Sequence, residues 1–323
     1  MLTLTSLGAA GTVTGSKHLL TYEGHRVLID CGLFQGLKNL RELNWEKLPV
    51  QPERIDAVIL THAHLDHCGY LPRLVRDGFH GKIYATEATR DVAELILMDS
   101  AFLQEKDAKF LNRHHLSKHA PALPLYSLHD ARRALEHFST VPFGKTISLP
   151  NGLTLRFRHA GHILGAAHAE IQWGGRNLAF SGDIGRYDDP LFPDPVAGGE
   201  PDFIVIESTY GDRVHPVEDP AEALGAIAER TVKRGGTLVI PAFAVGRAQQ
   251  LLYYFWTLKR AGRLASIPIF LDSPMAADAT EMMCRHPHDH KLDHATCREA
   301  FGIAQYTNDV EASKAITASR YPK

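Results

Sequence analysis

This chain has little of what would place it in a membrane or in a cross-linked secreted scaffold. Cysteine is scarce: four in 323 residues, scattered at positions 31, 68, 284 and 297 with no Cys-x-x-Cys pair. A disulfide framework is therefore not suggested. No apolar run approaches the ~20 residues that a bilayer-spanning helix requires. The N-terminus, Met1 to Gly8, alternates like a strand and has no basic segment ahead of an apolar one, so no signal peptide is expected and the cytoplasm is the default location. Internal repeats and low-complexity tracts are missing. Neither sign of charge dominates, since 35 basic residues face 37 acidic ones for a net −2. That balance argues against a broadly basic surface and is the main compositional point against a nucleic-acid partner.

What the chain does have is chemistry at the ends of strands. Thr61-His62-Ala63-His64-Leu65-Asp66-His67 follows the apolar run Ile55–Leu60, which reads as a buried strand. His62 and His64 are two residues apart, so an extended segment points both to one side. Asp66 and His67 open a helix-like stretch that runs through Cys68–Arg76 and stops at Gly78. Imidazoles and carboxylates where a strand runs into a loop are the residue types of a catalytic metal site, and this loop can offer two ligand pairs to two neighbouring positions.

Three further strand ends repeat the pattern. Gly161-His162 follows the alternating run 153–158, Gly182-Asp183 follows Leu178-Ala179-Phe180, and Asp30-Cys31-Gly32 follows Val27-Leu28-Ile29. Glycines beside each allow close approach of backbone. Four such ends suggest one rim of a β-sandwich. Two other histidine clusters read as loops: Asn112–Pro124, and His286-Pro287-His288-Asp289-His290, which contains a proline and has no buried strand before it.

Taken together, His62-x-His64-x-Asp66-His67, His162, Asp183 and Asp30 resemble the metallo-β-lactamase fold. Ile206-Glu207-Ser208-Thr209-Tyr210-Gly211 and Pro241-Ala242-Phe243-Ala244-Val245-Gly246-Arg247 resemble its β-CASP branch, which contains RNA-processing nucleases such as bacterial ribonuclease J and the mRNA 3′-end cleavage endonuclease. The resemblance covers nearly the whole chain. It implies an α/β protein: an αββα sandwich over residues 1–208, then a partial parallel α/β β-CASP domain over 209–323. Within the second part the pattern predicts helices at 219–233, 247–261, 275–284 and 309–318, with strands at 237–240, 267–271 and 303–306. In the first it predicts helices near 87–107 and 129–137.

The resemblance also implies two zinc ions per complete site. One would take His62, His64 and His162, the other Asp66 and His67, with Asp183 bridging them. A hydroxide held between the two would attack the phosphodiester, because zinc-bound water has a pKa near ~7 rather than ~15.7. Asp66, Asp183, Glu207 and Asp30 are the expected catalytic group, with Asp30 fixing a ligating imidazole or its loop. Lys17, Arg186, Arg213 and Arg247 sit in or near the motif loops as candidate phosphate contacts. Arg247 is the best placed, at the start of a helix whose N–H groups and dipole favour an anion. Full-length relatives continue past the segment matching Ala318–Lys323 with a histidine that acts as general acid and a further zinc ligand, so the chain is expected to be C-terminally truncated and to lack the last strands of its sandwich.

Function therefore reads as zinc-dependent cleavage of RNA phosphodiester bonds, expected to be weak in a chain without the general-acid histidine and the further zinc ligand. The alternatives are a hydrolase of small esters or thioesters on the same fold, or a catalytically impaired RNA-binding relative. Single-stranded RNA is the implied partner, no membrane is implied, and a homodimer is an allowed assembly.

Overall fold

The structure is a computed structural model and describes residues 1–149, 152–307 and 310–319. It divides into two units: Met1–Arg186 with Asp194–Thr209, and Tyr187–Pro193 with Tyr210–Lys323.

The first unit is built on two sheets. Strands β1 (Leu2–Gly8), β2 (Lys17–Tyr22), β3 (His25–Ile29), β4 (Ala57–Ile59), β5 (Lys82–Ala85) and β6 (Phe138–Thr140) form a six-stranded sheet in sequence order. The first three are antiparallel and the last four parallel. The second sheet has the order β11-β10-β9-β8-β7, where β7 is Thr146–Ser148, β8 Thr154–His159, β9 Ala167–Trp173, β10 Arg176–Phe180 and β11 Phe203–Val205. Because side chains alternate across a strand, each sheet turns one row inward. Leu20, Val27, Ile29 and Ile59 from one meet Leu155, Phe157, Ile171 and Phe180 from the other in a shared apolar core.

Strands β3 and β4 are apolar on both faces, as parallel strands covered on both sides must be. Their second rows, Leu28 and Val58, are also fully buried. Helix α1 is Lys38–Leu43, between β3 and β4. Helices α3 (Leu71–Arg76), α4 (Glu87–Arg113) and α5 (Leu128–Leu135) pack together and bury Leu71, Leu74, Val92 and Leu97. Helix α4 begins where Thr86 caps it by accepting from the Thr89 N–H, and it runs to Arg113, beyond the expected end near 107. The single helical stretch expected after His67 is two short helices, α2 (Leu65–Cys68) and α3, separated at Gly69-Tyr70. Pro72 at the start of α3 cannot donate a backbone hydrogen bond, so a new helix begins there.

The outward row of the second sheet is polar. Glu170, on β9, is 2% exposed and takes the guanidinium groups of Arg156 and Arg158 from β8. At the edge of that sheet, β11 leaves Phe203 and Ile204 about half exposed.

In the second unit the helices are α6 (Pro220–Lys233), α7 (Arg247–Arg260), α8 (Pro274–Arg285), α9 (His294–Phe301) and α10 (Val310–Ala318), and the strands β12 (Ile269–Leu271) and β13 (Ala304–Tyr306) pair in parallel. Position 309, expected to start the last helix, lies outside the described residues. The expected strand at 237–240 is not one. Those residues pair with no described strand, and Val239 is exposed; an apolar run becomes a strand only where a ladder partner takes its backbone groups. Cys284, at the end of α8, and Cys297, in α9, form a disulfide, against the expectation of none. Among the described residues no helix is long and apolar enough to cross a membrane.

Several histidines are held neutral by burial. His159 stacks on Phe143, His168 Nδ1 bonds the Ser181 carbonyl, and His290 bonds the Met283 carbonyl; burial lowers the pKa of each, and of His18, below the ordinary imidazole value. Unfolded chain then binds more protons than folded chain on the acid side of ~6.5, so the stability these groups allow is present above that pH and lost as pH falls through it. His67 opposes this with a raised pKa, as one group against seven, since burial lowers His62, His64 and His162 as well. Metal-stripped protein should therefore melt at progressively lower temperature from pH 7 to pH 5. A melting temperature that holds level or rises over that range in differential scanning calorimetry would refute the assignment of these rings as buried and neutral.

Candidate metal centre

Four strand ends converge on one rim of the first unit. The chain leaves β4 through Leu60 and Thr61 and stays extended through His64, whose φ and ψ are −62° and 149°. It leaves β8 into Gly161-His162 and β10 into Gly182-Asp183, and both glycines have positive φ, 68° and 54°. It leaves β3 at Asp30, itself at φ 58°, a conformation that aspartate tolerates better than most residues. Gly32 completes the packing: a Cβ there would lie 1.5 Å from the Asp66 carbonyl oxygen, so only glycine lets this turn back the metal-motif loop.

These turns bring His62, His64, His162 and Asp183 together, with one ligand-type atom from each within 4.8 Å of all the others. His64 Nδ1 lies 3.1 Å from His62 Nε2 and 3.1 Å from His162 Nε2. The ring centroids form a near-equilateral triangle of 4.9, 4.9 and 5.1 Å, with the planes 79–83° apart. Asp183 Oδ2 is 3.7 Å from His62 Nε2 and 3.4 Å from His162 Nε2. Ligand atoms about 3.3 Å apart are what a tetrahedral zinc with ~2.0–2.1 Å zinc–nitrogen bonds needs.

The protonation states suit a cation. Burial lowers the pKa of His62 well below the usual value and brings His64 and His162 to about 4. All three are neutral at pH 7 and offer lone pairs without first losing a proton. Burial alone would raise Asp183, but the imidazoles of His62, His67 and His162 override it and hold this carboxyl well below the carboxylate range. Burial raises Asp66. The thiols of Cys31, pushed up to about 12, and Cys68 are buried and un-ionised, which makes them packing groups rather than ligands.

His67 and Asp66 lie beside this group. His67 Nε2 faces Asp183 Oδ1 at 3.3 Å and Asp66 Oδ2 at 3.9 Å. The two oxygens of Asp183 thus face different imidazoles. His67 Nδ1 bonds Asp30 Oδ2 at 2.8 Å. Burial would lower His67, yet the carboxylates of Asp30 and Asp183 hold it well above its ordinary value. Asp30, 2% exposed, also accepts from the Thr61 N–H at 2.8 Å, from the Thr61 hydroxyl and from the Ser16 hydroxyl. Thr61 opens the histidine motif in the sequence, whereas Ser16 carries no signal there.

Glu207 is close without joining the imidazole group. Its Oε1 accepts from the Ile184 N–H at 2.6 Å, and its own N–H donates to Ser181 Oγ, so it clamps the turn that carries Asp183. A cavity of about 310 Å³ opens beside Asp183 and His67 and is lined also by His18, Thr61, Ser181 and Glu207.

The four candidate phosphate contacts fare differently. Lys17 is 2% exposed, its ammonium lies over the rings of Phe34 and Tyr70, and burial lowers its pKa to about 8. It is packed into the unit and does not present its charge to solvent. Arg186 is exposed three residues past Asp183. Arg213 is exposed over the Tyr210 ring, and Arg247 is exposed with Nη1 donating to Gln250 Oε1. The α7 N-terminus itself is occupied: the N–H groups of Gly246, Arg247 and Ala248 donate to Gln249 Oε1 and to the carbonyls of Val245 and Phe243. What Arg247 can offer an anion is its guanidinium, not the helix backbone. The 286–290 cluster is structural at His290, where one ring nitrogen bonds the Met283 carbonyl and the other accepts the Leu292 N–H.

Residues 12–233 match the description of the metallo-beta-lactamase superfamily, and residues 248–323 match the Beta-Casp domain. The chain is 41% identical over 270 residues to Ribonuclease TTHA0252 of Thermus thermophilus, a match that covers 83% of this chain and 58% of that protein. It is 34% identical over 288 residues to the transcription termination factor FttA of Methanocaldococcus jannaschii, covering 87% and 43% of the two chains. It is 31% identical over 282 residues to the cleavage and polyadenylation specificity factor 73 of Drosophila melanogaster, covering 85% and 39%. The chain spans about half the length of the curated relatives it matches.

Proposed function

From the premise that this chain belongs to the metallo-beta-lactamase superfamily and carries a Beta-Casp domain, we propose that it is a zinc-dependent hydrolase of RNA phosphodiester bonds. The observation that carries the reading is the convergence of three neutral imidazoles and one ionised carboxylate on a single point. Neutral nitrogen donors with a carboxylate suit zinc better than the hard cations magnesium and calcium, which take oxygen ligands. His62, His64 and His162 would hold one ion, Asp66 and His67 a second, and Asp183 would serve both through its two oxygens. The relative named a ribonuclease supports the choice of substrate.

When bound, zinc supplies positive charge for the phosphodiester oxygens and lowers the pKa of water toward neutrality. The chain's own residues prepare for this. Asp30 accepts the His67 Nδ1 proton and so turns Nε2 toward the site. Glu207 and Ser181 fix the backbone on either side of Asp183. The cavity beside Asp183 would receive the scissile phosphate next to these groups.

The test is direct. Zinc-reconstituted chain should cleave a 5′-labelled single-stranded RNA, and cleavage should stop on chelation and return with zinc. If a p-nitrophenyl ester or a thioester turns over in the same preparation while RNA does not, the reading is wrong and the small-ester alternative replaces it.

A further inference from the structure

Helix α4 carries an exposed stripe that the metal centre does not use. Phe102, Leu103, Lys106, Lys109, Phe110 and Arg113 are all exposed. Their spacing places them within about a third of the helix circumference. Phe102 is 52% exposed and Phe110 55%, in a position where isolated apolar side chains would be unremarkable but paired aromatics among cations are not. His114 continues the stripe, its ring 4.5 Å from that of Phe110. Beyond it, Lys118 and His119 are exposed on a loop held at both ends: Asn112 donates to the Ala122 carbonyl at 2.9 Å and accepts the Ala122 N–H at 2.7 Å. Between positions 102 and 119 four Lys and Arg side chains face two acidic ones, with three histidines besides, in a chain whose net charge is −2. One of the acids, Glu105, accepts from the Leu128 N–H through Oε1 and faces Lys109 at 3.9 Å through Oε2, which leaves Lys106, Arg113 and Lys118 as the stripe's main cations.

Flat aromatic rings interleaved with lysine and arginine are the surface that single-stranded nucleic acid recognises: bases stack on the rings while the cations take the phosphates. We propose that this face of α4 and the following loop form a docking stripe for single-stranded RNA, distinct from the metal centre. The proposal rests on RNA being the substrate. The N-cap residue of α4, Thr86, donates to the Gly165 carbonyl, three residues past His162. At 1.5 Å per residue the stripe therefore starts roughly 20 Å along the helix from the centre's side of the unit and ends roughly 40 Å along it. A strand reaching both must be long, so the stripe would matter for long RNA and not for short oligomers.

Fluorescence anisotropy of the full chain with labelled uridine 30-mers and 5-mers, in EDTA so that nothing is cleaved, tests this. Two variants, K106E/R113E and F110A, alter only exposed side chains. Each should weaken 30-mer binding about tenfold or more while leaving 5-mer binding and 5-mer hydrolysis by zinc-loaded protein unchanged. The charge reversal should also flatten the dependence of log K on log salt by about 1.4, or ~0.7 for each lost phosphate contact. Unchanged 30-mer affinity in both variants overturns the proposal. So does unchanged affinity with loss of self-association in sedimentation, which would make the stripe an interface between copies. Stripe-dependent binding without any zinc-dependent cleavage would defeat the hydrolase reading and leave the stripe standing. Cleavage with stripe-independent binding would do the reverse.

Discussion

Asp183→Ala is expected to strip bound metal and abolish RNA hydrolysis in the same preparation. Among the described residues Asp183 is the carboxylate that faces both imidazole sets, with Oδ2 toward His62 and His162 and Oδ1 toward His67. It is ionised far below neutral pH because those rings surround it. Its removal takes one proposed ligand from each proposed ion and a carboxylate from between them. Positioned charge of this kind is commonly worth 10²–10³ in rate on its own, and with metal occupancy falling as well the loss should be on the order of 10³ or more. Folding should survive, since the carboxylate is partly exposed and makes no backbone hydrogen bond among the described residues. Zinc content by elemental analysis, read beside cleavage of labelled RNA, checks this. A variant that keeps its full zinc content, or that cleaves at an undiminished rate, would remove Asp183 from the centre.

Asp30→Ala should act on stability first and on metal second. Asp30 is buried and accepts from His67, Thr61 and Ser16. Alanine would leave His67 Nδ1 and the Thr61 N–H buried without a partner, with Asp183 still facing His67 Nε2. Breaking a buried charged pair from one side costs about 3–5 kcal/mol, and alanine at φ 58° adds strain that aspartate largely avoids. Asp30→Asn separates the two effects. Asparagine tolerates the same backbone and can still accept from Thr61, so urea unfolding should show a smaller loss. Zinc affinity should still drop about 10–100-fold, as when the partner of a ligating histidine is changed. If Asp30→Asn emptied the site as completely as Asp183→Ala, Asp30 would have to be a ligand itself.

The converging group was legible in the sequence because His62, His64, His162 and Asp183 each sit just past the end of an apolar strand, and a buried strand fixes the position of its last residue within the fold. Four such ends, three of them with glycines beside them, include every member of the converging group. The support network was less legible. Asp30 carried a signal as a strand-end carboxylate, but Thr61 and Ser16 are ordinary residues until the fold places their hydroxyls on it. Lys17 shows the opposite failure. Its charge suggested a phosphate contact, whereas burial against Phe34 and Tyr70 is a tertiary fact that no local pattern encodes.

In the second unit, helices with clear apolar periodicity such as α6 and α7 were readable to within about a residue. Helix α9 was not, since its eight residues, HATCREAF, are short and mixed. The pairing of Cys284 with Cys297 follows from how α8 and α9 pack, and sequence spacing does not determine such a pairing. Residues 237–240 read as a strand because local apolarity is a propensity; whether it is realised depends on a partner.

In the proposed centre His62, His64 and His162 hold a metal ion. Equilibrium dialysis of the full chain against buffered zinc at pH 7, with the metal counted by inductively coupled plasma spectrometry, tests it most directly. The expected result is at least one zinc per chain at the tightest site, lost in a His64→Ala/His162→Ala variant that still melts cooperatively. Zinc retained in full by that variant, or no transition metal retained by the unaltered chain after reconstitution, would contradict it.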